Sequence, residues 1–93
     1  NEMPWFWSDQ YDLKLQMAGI SNGYDECHIL GSVSSAEFIA CYGKDGYLIA
    51  VDSVNQSKQF MLFKRALGNG FKLEMEFIKN KDFQPESIFS GSN

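Results

Sequence analysis

The opening segment carries the densest concentration of chemistry-bearing side chains. Pro4, Trp5, Phe6 and Trp7 are followed by Ser8, Asp9, Gln10 and Tyr11, so four aromatic rings crowd into seven positions. Such rings bury large areas, either inside a core or against a planar partner from which they exclude water. Successive side chains of an extended segment alternate in direction. Trp5, Phe6 and Trp7 therefore cannot all plug one core, and at least one of them is expected to face a partner or a neighbouring domain. Beside them, Asp9 reads as a turn or capping residue rather than an acid catalyst, and Ser8 and Gln10 as general hydrogen-bonding groups.

The other reactive side chains are sparse. Cys27 and Cys41 are too few and too far apart for a zinc site, and His28 is the only histidine available to assist them. They read as reduced, small apolar residues of strands in a cytoplasmic protein, although neighbouring strands would in principle bring the two together. No serine has a histidine and an acid at a recognisable spacing, and His28 within a strand reads as a packed or surface residue. Neither a G-x-G-x-x-G loop after a strand nor a Walker-type loop occurs, so the chain by itself offers no nucleotide site. These observations argue against independent catalysis.

Charge is unevenly distributed. The net charge is −4, with a balance of −6 over residues 1–52 and +2 over residues 53–93. An acidic total argues against nucleic acid or an anionic membrane as the partner, while the second half supplies a candidate positive surface. The longest apolar runs fall far short of the roughly 20 residues that cross a bilayer. A length of 93 residues suits one soluble domain, 1–93, with a flexible tail at 90–93. The start at Asn1, without a methionine, is expected for a piece of a longer protein.

The elements that must position these residues are legible as periodicities. Tyr11 to Met17 alternates, with Leu13, Leu15 and Met17 on one side and Asp12, Lys14 and Gln16 on the other, which predicts a half-buried strand. After turn residues at 21–23, Glu26 to Leu30 reads as a second strand, followed by a turn at 31–35. Glu37 to Tyr42 and Tyr47 to Val51 flank Gly43, Lys44, Asp45 and Gly46, the composition of a tight hairpin. Both hairpin strands are apolar on their two faces, which predicts cover on both sides. One helix layer covers one face only, so the other requires a second layer or protein outside this sequence. Ser53, Asn55 and Ser57 are N-cap types, and Gln56 to Leu67 places Phe60, Phe63 and Leu67 on one helical side. Gly68, Asn69 and Gly70 close that helix, a second is expected over Phe71 to Asn80 with Phe71, Met75 and Ile78 on one side, and Pro85 opens a last turn around Glu86 to Phe89.

Taken in order, PWFWSDQYDLKLQMAGIS at 4–21, GYDECHILGS at 23–32, AEFIACYGKDGYLIAVDSVN at 36–55 and FMLFKRAL at 60–67 resemble the C-terminal domain of flavoproteins of the putidaredoxin-reductase and rubredoxin-reductase kind. FWSD at 6–9 is also similar to the corresponding piece of apoptosis-inducing factor, a more distant flavoprotein. The resemblance implies an α+β fold, an antiparallel sheet of about four to five strands with two to three helices packed on it. It implies a role within an FAD-dependent NAD(P)H:ferredoxin or rubredoxin reductase, whose FAD and NAD(P)H occupy two preceding domains of the same chain. By the same resemblance, Trp7 lies beside the isoalloxazine with Phe6 adjacent, and Trp5 lies near the surface where the small electron acceptor docks. Lys58, Lys64 and Arg65, with no acid between Asp52 and Leu67, would then steer an acidic ferredoxin. An ordinary solvated helix face accounts for those three cations equally well, because their i, i+6, i+7 spacing puts only part of the set on one side.

Two departures from the family pattern stand out. Gln56 and Ser57 replace the usual basic residue and proline, and the stretch Gly68 to Lys81 is longer than usual, which predicts an added helix there. The competing reading is a free-standing protein-binding or dimerisation module that uses the same aromatic face without catalysis.

Overall fold

The computed structural model describes residues 14–90. Four strands, β1 (Leu15–Gly19), β2 (Glu26–Ser32), β3 (Glu37–Lys44) and β4 (Tyr47–Val54), are followed by three helices, α1 (Ser57–Gly68), α2 (Met75–Lys79) and α3 (Ser87–Ser90). All strand pairs are antiparallel, in the spatial order β1-β4-β3-β2. The α+β class expected from the sequence is therefore observed, with four strands and three helices among the described residues.

The hairpin forms where its glycines and Asp45 allow it. Asp45 and Gly46 have φ of 55° and 87°, the left-handed region that a tight reversal needs. Tyr42 pairs with Ala50 but Gly43 pairs with Leu48, so Ile49 is an extra residue on β4. That slip lets Leu48 and Val51, three apart, both enter the core. Register and burial together give the sheet two unlike faces. Ile39, Cys41, Leu48 and Val51 pack beneath Phe60, Phe63 and Ala66 of α1 and beneath Met75 and Ile78 of α2. The helices thus lie on one side, as α1's buried positions at i, i+3 and i+6 require.

The strand at the chain's beginning alternates as expected, but its polarity is the reverse of the apolar pattern. Leu15 and Met17 point away from the helices and are exposed, while Gln16 and Ala18 face α1. Gln16 is tolerated there because its Oε1 accepts a hydrogen bond from Ser57 Oγ at 2.9 Å. The predicted extension back to Tyr11 lies outside the described residues.

The predicted cap residues serve other purposes. Gln56 is the N-cap of α1 and makes no side-chain cap. Asn55 instead joins three segments: its backbone N–H donates to Lys14 O at 2.8 Å, its Oδ1 accepts from Lys14 N–H at 2.8 Å, and its Nδ2 donates to Ala36 O at 2.9 Å. This clamp locks the start of β1 and the β2–β3 turn onto the end of β4.

The predicted helix over Phe71 to Asn80 is corrected by the structure. Only Met75–Lys79 is helical, and Phe71 is exposed. Leu73 O accepts from Leu48 N–H and Met75 N–H donates to Gly46 O, both at 2.8 Å, so the segment first runs extended along the hairpin. Backbone pairing with a free strand end overrides the helical spacing of three apolar residues. Gly43 leaves the space that Met75 occupies, since a Cβ there would collide with the Met75 side chain. Lys79 Nζ then reaches Glu26 Oε2 at 2.7 Å and ties α2 to β2. The closing turn after Pro85 is present as α3, with Ile88 and Phe89 packed against the core.

Cys27 and Cys41 sit on adjacent strands but one register step apart, Cys27 opposite Tyr42 and Cys41 opposite His28, and therefore on opposite faces. Both thiols are free. Burial pushes the Cys41 thiol up to about 12, and its thiolate is inaccessible at neutral pH. Titration of the native chain with a thiol reagent near pH 8 should consume Cys27 alone, and Cys41 should react only after denaturant is added. Two rapidly reacting thiols in the native state would contradict this placement.

Candidate functional site: the cationic face of α1

An α-helix turns roughly 100° per residue. Lys58, Met61 and Arg65, at i, i+3 and i+7, therefore share one outer stripe of α1, and Lys64 is rotated from it toward β1. The three cations are exposed, as is Met61. Packing of Phe60, Phe63 and Ala66 on the sheet fixes the helix's rotation and so fixes which side chains face outward.

Two hollows adjoin this face. One, of about 490 Å³, is lined by Met61, Leu62, Lys64, Arg65, Gly68 and Asn69. The other, of about 350 Å³, lies between α1 and β1 and is lined by Met17, Ala18, Gly19, Lys64, Leu67 and Gly68. They share Lys64 and Gly68, and among the described residues neither has a carboxylate in its lining. Gly68, without a side chain, keeps the passage between them open. Arg65 is held in place, with its guanidinium carbon 4.6 Å from the centre of the Phe89 ring, which itself lies 5.2 Å from Phe71. The result is an apolar floor beside two cations, one of them held by an aromatic ring, a surface that suits a protein partner with acidic groups around an apolar centre.

The structure thus brings Lys64 and Arg65 around one hollow, while Lys58 lies about 10 Å nearer the start of the helix and lines neither. Met61 and Leu62, the apolar part of this surface, were not singled out by the sequence reading. The signal was available in Met61, which stands at i+3 from Lys58 and i−4 from Arg65. Trp5, Phe6 and Trp7 lie outside the described residues.

A second polar feature lies on the opposite face of the sheet. Tyr42 donates its phenolic hydrogen to Asp52 Oδ2 at 2.9 Å, and its ring lies 4.9 Å from that of Tyr24. The hydrogen bond to Asp52, helped by burial, pushes the Tyr42 phenol from 10.0 up to about 12. Because the folded state holds the neutral phenol more tightly than the unfolded chain does, this contribution to stability is complete below pH 10 and is lost as pH rises toward 12. Tyr42→Phe should remove that alkaline loss, as measured by urea unfolding at a series of pH values. An unchanged pH profile would mean that the bond does not govern it.

Among the described residues no group of three His, Cys, Asp or Glu side chains converges on one point, and no helix is long and apolar enough to cross a membrane. The connection from β4 to α1, through Asn55 and Gln56, carries no glycine, so it lacks the glycine-rich strand-to-helix turn that seats the phosphates of a dinucleotide.

Comparison with known proteins decides what kind of chain this is, for residues 5–88 match the family described as Reductase C-terminal. The chain belongs to that reductase C-terminal family. It is 44% identical over 63 residues to a ferredoxin–NAD(P)+ reductase of Sphingomonas sp., a match that covers 68% of this chain and 15% of that protein. It is 32% identical over 89 residues to putidaredoxin reductase of Pseudomonas putida, covering 96% of this chain and 21% of that one. In three dimensions it resembles the covalent putidaredoxin reductase–putidaredoxin complex with a TM-score of 0.77 and 28% identity, over 90% of this chain and 20% of the other. This reductase C-terminal chain therefore spans about a fifth or less of the length of these relatives.

Proposed function

We propose that this chain is the C-terminal domain of an FAD-dependent NAD(P)H:ferredoxin or rubredoxin oxidoreductase, where it covers the flavin and helps to dock the small electron-acceptor protein. The observation that carries the proposal is the family match over residues 5–88, nearly the whole chain. Similarity to a reductase joined covalently to putidaredoxin supports a small iron–sulfur protein as the partner, and the exposed cations of α1 supply the complementary charge.

In this proposal FAD and NAD(P)H are held by the nucleotide-binding domains of the same polypeptide, in the cytoplasm, and residues 1–93 act as one domain beside them. What FAD supplies when bound is the conversion of a hydride donor's electron pair into single electrons for the acceptor. The chain's own contribution is positional. Trp7, with Phe6 adjacent, lies against the isoalloxazine and keeps water from it, and Trp5 contributes a ring to the acceptor surface. Lys64 and Arg65 orient an acidic acceptor at close range, and Lys58 adds to the longer-range field that draws it in.

The test is to purify the complete reductase polypeptide, record its flavin absorbance and measure NAD(P)H-driven reduction of a ferredoxin and a rubredoxin. Bound flavin and reduction of either protein are expected. A polypeptide that binds no flavin and oxidises no NAD(P)H would overturn the proposal and leave a protein-binding module. Within an active enzyme, Trp7→Ala should brighten the flavin's fluorescence by removing the adjacent ring, and Trp5→Ala should not.

A further inference from the structure

Met61 stands among the cations of α1. Lys58 precedes it by three residues, Lys64 follows by three and Arg65 by four, the spacings at which helical side chains are neighbours. Its side chain lines the larger hollow and is 52% exposed, so solvent reaches the thioether on the side that the functional proposal gives to the acceptor. No acidic residue lies between Asp52 and Leu67, and among the described residues no carboxylate lines that hollow. Met75 differs in every respect: it is 1% exposed and packed into the space left by Gly43.

Hydrogen peroxide converts an accessible thioether to a sulfoxide. The sulfur takes one peroxide oxygen and loses two electrons, the O–O bond breaks, and the remainder leaves as water, with no net change in protons. The product is polar, and its new oxygen accepts hydrogen bonds. Around Met61 the donors within reach are Lys58, Lys64 and Arg65. Oxidation would therefore act twice on this surface: its apolar centre becomes polar, and the cations that meet an acidic partner are drawn onto the sulfoxide oxygen. We propose that Met61 is a reversible oxidation site, with hydrogen peroxide as the oxidant, and that its sulfoxide weakens docking of the acidic acceptor. This role rests on the proposed function and adds redox regulation of the same surface to it.

Brief hydrogen peroxide treatment of the complete, flavin-loaded reductase, mapped by mass spectrometry of its peptides, should oxidise Met61 roughly tenfold faster than Met75. The KM for an acidic ferredoxin should then rise roughly fivefold, while reduction of a small uncharged acceptor stays the same. Methionine sulfoxide reductases specific for the two sulfoxide epimers, added together, should restore the original KM. In Met61→Leu, a substitution close in volume, the KM should be the same before and after peroxide, whatever its starting value. Oxidation of Met61 no faster than that of Met75, or a KM indifferent to the sulfoxide, would overturn the inference. So would a peroxide effect that persists in Met61→Leu, which would move the sensitive group to another exposed sulfur, Met17 or Cys27. A polypeptide that binds no flavin and reduces no acceptor defeats the functional proposal and this role with it, whereas an active reductase whose KM ignores peroxide defeats the oxidation site alone.

Discussion

Phe63→Ala is expected to cost this chain about 3–5 kcal/mol of folding stability, the range for truncating a fully buried phenylalanine. Phe63 has no exposed surface, stands at the middle of α1's buried stripe, and lies 6.2 Å from Phe83, so it joins the sheet, the helix and the segment before α3. A chain of this size is stable by roughly 5–14 kcal/mol in all. The single truncation therefore removes a large share, and a fall in melting temperature of about 15–30 °C follows. Phe77→Ala is the control: its ring meets Phe83 edge-on at 5.1 Å but is largely at the surface. Urea unfolding followed by circular dichroism checks both. Losses of similar size at positions 63 and 77 would show that the core is centred elsewhere.

Lys64→Glu in the complete reductase should lower kcat/KM for an acidic ferredoxin about tenfold at low ionic strength. The difference should shrink toward none at 1 M salt, where the screening length falls to about 3 Å. Activity with a small uncharged acceptor should be unaffected, which separates docking from electron supply. Lys64 is preferred to Arg65 for this test because it lines both hollows, whereas Arg65 also packs on Phe89 and its loss mixes charge with packing. A salt-independent loss, or one shared by the small acceptor, would count against a steering role.

How much of this was legible in the sequence follows from which forces act locally. The β3–β4 hairpin was readable as a reversal at the right place, because Asp45 and Gly46 take backbone angles that few other residues allow, but Gly43 and Lys44 belong to β3 rather than to the turn and β4 runs on to Val54. The helix at 57–68 was readable within one residue at each end. Alternation in β1 was readable as well, but it states only that successive residues take opposite sides, not which side is the core. Leu15 and Met17 therefore invited the wrong orientation, and a glutamine with a hydroxyl partner 41 residues away took the inner position. Phe71 to Asn80 misled for a related reason. Its apolar spacing is helical, but Leu73 answers a backbone donor at Leu48, a demand set by the end of a strand 25 residues earlier. The cations of the site were visible as residues, while their arrangement around Met61 and Leu62 depended on the helix's rotation over the sheet.

The strand order β1-β4-β3-β2 has a consequence for a chain emerging from the ribosome. β1 is made first among the four, yet its only neighbour among them is the last, so it waits on the order of seconds for β4 to appear. During that interval its hydrogen-bonding edge is open to any extended segment nearby. A pause once Val54 has emerged from the ribosome should give the nascent chain time to close, whereas a pause before Tyr47 emerges should prolong the vulnerable state and increase misassembled product.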